Sequence, residues 1–146
     1  RRAEFCPFCE GNEDRTPPEI TAIRADGTAP DSAGWQVRVV PNKFPALRPD
    51  SPFGVKRRGL YDSVEGFGVH EVIIETPCHV ISPTEMATRD FELVLRTYRQ
   101  RSRALSADKR LSYVLIFKNV GEVAGASIEH THSQLIAVPV MPDSFS

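Results

Sequence analysis

The stretch of sequence that decides the fold is Asn119-Val-Gly-Glu-Val-Ala-Gly125-Ala-Ser127-Ile-Glu-His130-Thr-His132-Ser-Gln134-Leu-Ile-Ala-Val138. A loop interrupted by glycines leads into the pattern H-x-H-x-Q, and an apolar run typical of a strand follows. Side chains two residues apart in an extended chain point to the same face, so we expect His132 and Gln134 to project together. Glycines let backbone N–H groups approach an anion such as phosphate closely. A nucleophilic imidazole, an amide and a phosphate-binding loop are the groups that nucleotidyl transfer needs.

The segments around this stretch predict an α+β fold. Ser82, Pro83 and Glu85 form a capping-box pattern followed by apolar residues at helical spacing, so one long helix is expected to begin at Ser82. Residues 41–69 are rich in proline, glycine and charge and are interpreted as a long loop. Apolar runs bounded by turn residues predict strands at 20–24, 35–40, 70–75, 111–117 and 134–138, of which 111–117 is expected to be buried. Hairpin-like connections favour a mostly antiparallel sheet packed with the helix.

Length and charge narrow the class of protein. The 146 residues are interpreted as a single domain, 1–146, and the net charge of −1 gives no electrostatic reason to bind nucleic acid. The arginine-rich run at 96–103 is therefore interpreted as a solvated helix face. No apolar run is long enough to span a membrane, and no signal peptide opens the chain. Because the chain begins with Arg1 and not with methionine, we expect a fragment.

The cysteines indicate a reducing compartment, and we expect a cytoplasmic location. There are three, which cannot all pair with one another, and Cys6 and Cys9 form C-x-x-C. That pair is half of a zinc site, a redox pair or two structural cysteines. Zinc is favoured because the following residues are poor helix formers, whereas a redox pair begins a helix. The remaining ligands would come from His70, Cys78, His79, His130 and His132.

The two histidines of H-x-H-x-Q also have two interpretations. They are polar residues on a surface strand, or they belong to a reaction site, which the adjoining glycine loop favours. Attack on a phosphorus atom needs a neutral imidazole held in one tautomer. Gln134, Ser127 and the loop N–H groups would then donate to the phosphoryl oxygens.

Four motifs in the same order resemble the N-terminal half of galactose-1-phosphate uridylyltransferase, a member of the histidine-triad superfamily. They are the C-x-x-C pair, Pro41-Asn-Lys-Phe-Pro-Ala-Leu47, Pro77-Cys78-His79 and N-x-G-x3-G-x-S-x2-H-x-H-x-Q, and they span nearly the whole chain. The resemblance implies a histidine-triad-like fold and a transferase of galactose and carbohydrate metabolism. It also implies that the full-length protein has a second, similar domain and forms a homodimer.

The resemblance assigns roles to individual residues. His132 is implied to be the nucleophile that forms a nucleotidyl-histidine, and Gln134 to hydrogen-bond the phosphoryl oxygens of that intermediate. The implied Zn²⁺ ligands are Cys6, Cys9, His79 and His130. The implied substrate-binding residues are Asn42, Lys43, Phe44, Phe117, Asn119, Gly125 and Ser127.

Two features qualify these roles. The usual family sequence is H-P-H-G-Q, whereas Thr131 and Ser133 are the intervening residues here. Relatives with such variation include a nucleotide-sugar phosphorylase. In a straight strand His130 and His132 would also share a face. Their different duties therefore require a bend, or a strand that begins after His130.

The function expected from the sequence is a two-step transfer of UMP. The nucleotide would pass from a nucleotide sugar to His132 and then to a hexose 1-phosphate. One alternative is a phosphorylase or hydrolase with the same covalent step. The other is a zinc-stabilised nucleotide-binding domain without turnover. The family resemblance favours uridine over adenosine, with Asn42, Phe44 and Phe117 as contacts to the base.

Overall fold

The fold is built on one antiparallel sheet with a single long helix. The computed structural model describes residues 5–42, 47–48, 66–118 and 128–139. The elements are β1 Thr21–Arg24, β2 Trp35–Pro41, β3 Leu47–Arg48, β4 Gly66–Phe67, β5 Val69–Ile74, α1 Thr88–Ser106, β6 Tyr113–Phe117 and β7 His132–Val138, with 3-10 turns at Glu13–Arg15 and Pro83–Glu85. Five strands pair antiparallel in the order β1-β2-β5-β7-β6, and β3 and β4 form a short parallel pair. The predicted α+β class is confirmed.

The start of the helix differs from the prediction. Ser82 and Glu85 do form the capping box, but it closes only the 3-10 turn Pro83–Glu85. Met86 and Ala87 are then extended, with ψ values of 148° and 147°, so α1 begins at Thr88. Met86 packs against the core in this extended conformation. The predicted cap was right and the predicted helix start was wrong, because burial of Met86 separates the turn from the helix.

One face of the sheet packs against α1. Its core consists of Val37, Val39, Phe67, Ile73, Val94, Leu105, Leu111, Leu135 and Ala137. The prediction that β6 is buried was wrong, since β6 is an edge strand. Val114 and Ile116 pack on this core, whereas Tyr113 is 52% and Leu115 59% exposed on the opposite face. Continuous apolar character in β6 therefore does not mean that both of its faces are covered.

The opposite face of the sheet is covered in part by the N-terminal segment, residues 5–17. The buried side chains there are Cys6, Phe8, Cys9, Trp35, Val40, Val72 and Ile74. The Trp35 indole donates a hydrogen bond of 2.8 Å to the Glu13 carboxylate, and the N–H of Gly11 donates to the same group. Glu13 therefore joins the N-terminal segment to β2.

The arginines of α1 divide into two groups. Arg96, Arg99 and Arg103 are exposed, in agreement with the predicted solvated face. Arg101 instead donates two hydrogen bonds, of 2.9 and 2.6 Å, to the buried Glu71 carboxylate. In the described part of the chain, no helix is both long enough and apolar enough to cross a membrane.

A buried ion cluster beside β1 predicts sensitivity to acid. Arg38 is 1% exposed and lies 2.8 Å from Glu19 and 2.7 Å from Asp31, while Arg24 lies 2.7 Å from Glu19. Burial by itself would raise the pKa of Glu19, but the hydrogen bonds from Arg24 and Arg38 lower it below 4.5. A carboxyl whose pKa is lower in the folded state stabilises the fold above its unfolded pKa and loses that effect as the pH falls.

We therefore expect Glu19→Gln to unfold at a lower temperature than wild type at pH 7. The difference in unfolding temperature between wild type and the variant should narrow between about pH 5 and pH 3, because the wild-type carboxyl takes up its proton in this range. Thermal unfolding followed by circular dichroism across this range measures the effect. Glu92→Gln, at an exposed position of α1, is the matched control and should follow wild type. A constant gap for Glu19→Gln at all pH values would contradict the prediction.

Candidate active site and metal centre

The start of β7 separates the two histidines of the H-x-H-x-Q motif. The strand begins at His132, so His130 lies before it, which is one of the two arrangements expected if the histidines have the different roles that the resemblance implies. His130 is buried, whereas His132 and Gln134 lie on one face of β7 and line a cavity of about 200 Å³. The expectation that His132 and Gln134 project together therefore agrees with the structure.

The His132 ring is held in one tautomer. Its Nδ1 lies 2.7 Å from the backbone carbonyl oxygen of His130. A carbonyl only accepts, so Nδ1 carries the proton and Nε2 keeps its lone pair. Burial lowers the pKa of His132, the hydrogen bond to His130 opposes this, and the Lys118 cation lowers the pKa further. The neutral imidazole has the form that a nucleophile at phosphorus requires.

A hydrogen-bonded group not predicted from the sequence surrounds Gln134. His70 Nε2 lies 2.8 Å from the Gln134 side-chain oxygen and 3.1 Å from the Asn42 amide nitrogen. One ring nitrogen cannot both donate to Gln134 and accept from Asn42. The shorter contact fits an Nε2–H that donates to the Gln134 oxygen, and the Asn42 contact is then not a hydrogen bond. That arrangement directs the oxygen of Gln134 toward His70, and the NH₂ group is then the end that can meet a ligand. His70 was expected only as one of several metal ligands, and it lies away from the metal cluster described below.

The cavity lies between the N-terminal segment and the sheet. Its described lining residues are Pro7, Phe8, Arg15, Thr16, Pro17, Val40, Pro41, Asn42, Val72, Ile128, His132 and Gln134. Asn42 thus lines the same cavity as His132 and Gln134. Phe117 pairs with Gln134 across β6 and β7 but is not among these lining residues. The other predicted substrate-binding residues, Lys43, Phe44, Asn119, Gly125 and Ser127, lie outside the described residues.

The four predicted metal ligands lie together. One potential ligand atom from each of Cys6, Cys9, His79 and His130 falls within 4.8 Å of every other. His130 Nδ1 is 3.4 Å from Cys6 Sγ and 3.5 Å from Cys9 Sγ, and His79 Nδ1 is 3.4 Å from Cys9 Sγ. An ion bonded tetrahedrally to sulfur at about 2.3 Å and to nitrogen at about 2.0 Å holds these atoms about 3.5 Å apart. The cluster can hold a metal ion.

The protonation chemistry of the cluster also fits a cation. His130 Nε2 donates to the Thr76 carbonyl at 2.7 Å, which leaves the Nδ1 lone pair facing the cysteines. Burial lowers the pKa of His130 to about 4, so the ring is neutral. Burial raises the pKa of the Cys6 thiol to about 11, and the neighbouring Cys9 thiol raises it as well. A thiolate at Cys6 therefore needs a bound cation.

Short backbone contacts bring the ligands together from distant parts of the chain. A turn in which the Cys9 N–H donates to the Cys6 carbonyl forms the C-x-x-C pair. The Glu10 N–H donates to the Pro77 carbonyl at 3.1 Å, which joins this turn to the segment carrying His79. The Phe8 ring packs edge-on against His132, with 5.0 Å between ring centres. The cluster and the cavity therefore share the N-terminal segment.

Comparison with known proteins identifies relatives of two activities. The family described as galactose-1-phosphate uridyl transferase, N-terminal domain, matches residues 20–142. The ADP-glucose phosphorylase of Arabidopsis thaliana is 34% identical over 144 residues, which cover 97% of this chain and 39% of the relative. The galactose-1-phosphate uridylyltransferase of Thermotoga maritima is 33% identical over 102 residues, 69% of this chain and 32% of the relative. The chain thus spans well under half the length of these curated relatives.

Solved structures of proteins similar to this chain support the same family and fold. An Arabidopsis thaliana ADP-glucose phosphorylase with bound ADP-glucose has a TM-score of 0.75 at 34% identity, over 97% of this chain and 43% of that chain. A histidine triad protein from Clostridium difficile covers 98% of both chains with a TM-score of 0.55 at 14% identity, which confirms the histidine-triad-like fold alone. The family match covers residues 20–142, which is most of the chain. The chain therefore belongs to the family of galactose-1-phosphate uridyl transferase N-terminal domains.

Proposed function

We propose that the chain catalyses transfer of a nucleoside monophosphate through a covalent intermediate on His132. The observation that carries the proposal is the His132 ring itself, which is neutral, fixed by its Nδ1–H and lines a cavity beside Gln134. A fixed nucleophile next to an amide donor is the arrangement that phosphoryl attack needs.

The proposed reaction has two balanced steps. The Nε2 lone pair of His132 attacks the α-phosphorus of a nucleotide sugar. The P–N bond forms as the P–O bond to the sugar phosphate breaks, and sugar 1-phosphate leaves with the bonding electrons. An acceptor phosphate oxygen then attacks the same phosphorus, a new P–O bond forms as the P–N bond breaks, and the electron pair returns to Nε2 and restores the neutral imidazole. The NH₂ group of Gln134 donates to a phosphoryl oxygen in both steps.

Two candidates exist for the nucleotide and its acceptor. The first is UMP transfer to a hexose 1-phosphate, which the description of the matched family supports. The second is phosphorolysis of ADP-glucose. It is favoured by the match to an ADP-glucose phosphorylase over 97% of this chain, against 69% for the uridylyltransferase from Thermotoga maritima. The acceptor site, the second domain and the homodimer are proposals for a longer protein that contains this chain.

Zinc is the metal proposed for the Cys2His2 cluster, since two thiolates and two imidazoles suit it. Four protein ligands leave no open position, so we propose that the ion is structural. Its chemistry would be to neutralise the thiolates of Cys6 and Cys9. His79 and His130 would each supply one ring nitrogen.

Incubation of the chain with UDP-glucose and, separately, with ADP-glucose tests the proposal by intact-mass measurement. If the first candidate is right and His132 takes UMP, we expect the mass to rise by one uridylyl group in the first mixture and to stay unchanged in the second. An adenylyl adduct from ADP-glucose alone would establish the second candidate instead. If neither nucleotide sugar gives an adduct, the covalent mechanism is wrong and the nucleotide-binding alternative replaces it.

A further inference from the structure

A buried carboxylate lies behind His132, on the face of the sheet that packs against α1. Glu75 follows β5 and is 1% exposed. Thr131 and Ser133 flank His132 in the sequence, and both of their hydroxyls donate to Glu75. Thr131 Oγ1 lies 2.6 Å from Glu75 Oε1, and Ser133 Oγ donates to Glu75 Oε2. One carboxylate thus binds the residues on both sides of His132.

The charge of Glu75 is balanced by Lys118, the residue after β6. Its ammonium group lies 2.8 Å from Glu75 Oε1, 2.9 Å from Thr131 Oγ1 and 2.7 Å from the carbonyl oxygen of His132. An ammonium has three N–H donors, so each has one acceptor here. Lys118 therefore holds the main chain of His132 directly.

Burial by itself would raise the pKa of Glu75, but hydrogen bonds from Lys118, Ser133 and Thr131 lower it. The Tyr98 hydroxyl of α1 lies 3.1 Å from Glu75 Oε2 and also contacts Ser133. The group is therefore an ionised carboxylate with donors on both oxygens. Such a fully satisfied buried network holds its members in one arrangement.

The geometry points to Glu75, Lys118, Thr131 and Ser133, here named the Glu75 clamp, as positioning residues that fix the peptide carrying His132. The inference rests on the proposed role of His132 as nucleophile. Thr131 and Ser133 are the residues that depart from H-P-H-G-Q, so in this chain hydrogen bonds fix the segment that the family motif forms with proline and glycine. A displacement of about 1 Å in a reacting group costs on the order of a hundredfold in rate.

The double variant Glu75→Gln/Lys118→Met tests the clamp without leaving a buried charge unpaired. Its rate of adduct formation should fall at least tenfold. A displacement of the His132 ring by about 1 Å would lower the rate to about a hundredth of wild type. Nucleotide affinity, measured with UMP and AMP, should change by less than about threefold, because the clamp lies on the other face of the sheet from the cavity. Rapid-mixing mass spectrometry gives the rate, and calorimetry gives the affinity.

The matched control is Glu71→Gln/Arg101→Met, which removes another buried ion pair of the sheet and α1. Neither of its residues is bonded to His132, so its adduct rate should equal that of wild type. An equal fall in both double variants would show general loosening of the sheet and would overturn the inference. A wild-type rate in the clamp variant would overturn it as well.

A second measurement does not depend on turnover. Nitrogen chemical shifts of isotope-labelled His132 report which ring nitrogen carries the proton. Wild type should show the Nδ1–H form alone, and the clamp variant a mixture of tautomers. If wild type forms no adduct, the proposed mechanism fails. The chemical shifts still show whether the Glu75 clamp holds the His132 ring in one tautomer. A single Nδ1–H form in the clamp variant would then contradict it.

Discussion

Replacement of His132 by alanine is expected to abolish formation of the covalent nucleotidyl adduct, with a loss on the order of 10⁴-fold or more. The reason is that the Nε2 lone pair supplies the only bond between the protein and the phosphorus in the proposed first step. Stability should change little, because the ring is half-buried at the cavity and its main contacts are the Phe8 edge and one backbone carbonyl. Intact-mass measurement after incubation with UDP-glucose or ADP-glucose checks the result.

His132→Gly provides the matched test of chemistry against folding. Removal of the side chain leaves space in which free imidazole can bind. Added imidazole should then restore part of the release of sugar 1-phosphate from the nucleotide sugar. The same addition should do nothing for wild type. An adduct formed by His132→Ala at the wild-type rate would show that another residue is the nucleophile.

Metal removal is expected to have the second large effect. Elemental analysis should find one zinc ion per chain, and a strong chelator should lower the melting temperature by at least about 10 °C. The cluster joins the N-terminal segment to residues 79 and 130, and burial of Cys6, Phe8 and Cys9 against the sheet depends on that connection. Adduct formation should fall together with stability, since Phe8 contacts His132.

Two single variants separate ligand loss from general cysteine effects. Cys9→Ser should lose the metal and reproduce the chelated state. Cys78→Ser should keep the metal, because Cys78 is exposed and lies outside the cluster although it adjoins His79. Less than about a tenth of an equivalent of any metal, in protein never treated with chelator, would contradict the prediction.

The sequence predicts those parts of the fold that depend on local patterns. The apolar runs around Val37, Val72 and Leu135 predict strands because each is bounded by turn residues, and all three residues lie in the sheet. The spacing of C-x-x-C predicted half of a metal site, whereas His79 and His130 were selected from five candidates only by the family resemblance, and the structure places the four side chains together. An apolar strand run and a C-x-x-C pair are each contained in a few neighbouring residues.

The parts that were missed depend on contacts between distant residues. Glu75 meets Lys118 across 43 positions and Ser133 across 58, and no spacing rule connects them. The contact of His70 with Gln134 was missed, because only the pairing of β5 and β7 places His70 opposite Ile136 and beside Gln134. The exposed side of β6 was missed for the same reason, because strand order decides which strand lies at the edge.

Because the N-terminal segment packs over the sheet, the structural unit begins before the region that the family matches. The region matched by the family starts at residue 20, yet Cys6 and Cys9 precede it, as does the cavity wall formed by Pro7, Phe8 and residues 15–17. A domain boundary drawn at the family match would separate the cavity and the Cys2His2 cluster from part of their own residues. When such domains are aligned, trimmed or fused, residues 5–19 therefore belong with the sheet that they cover.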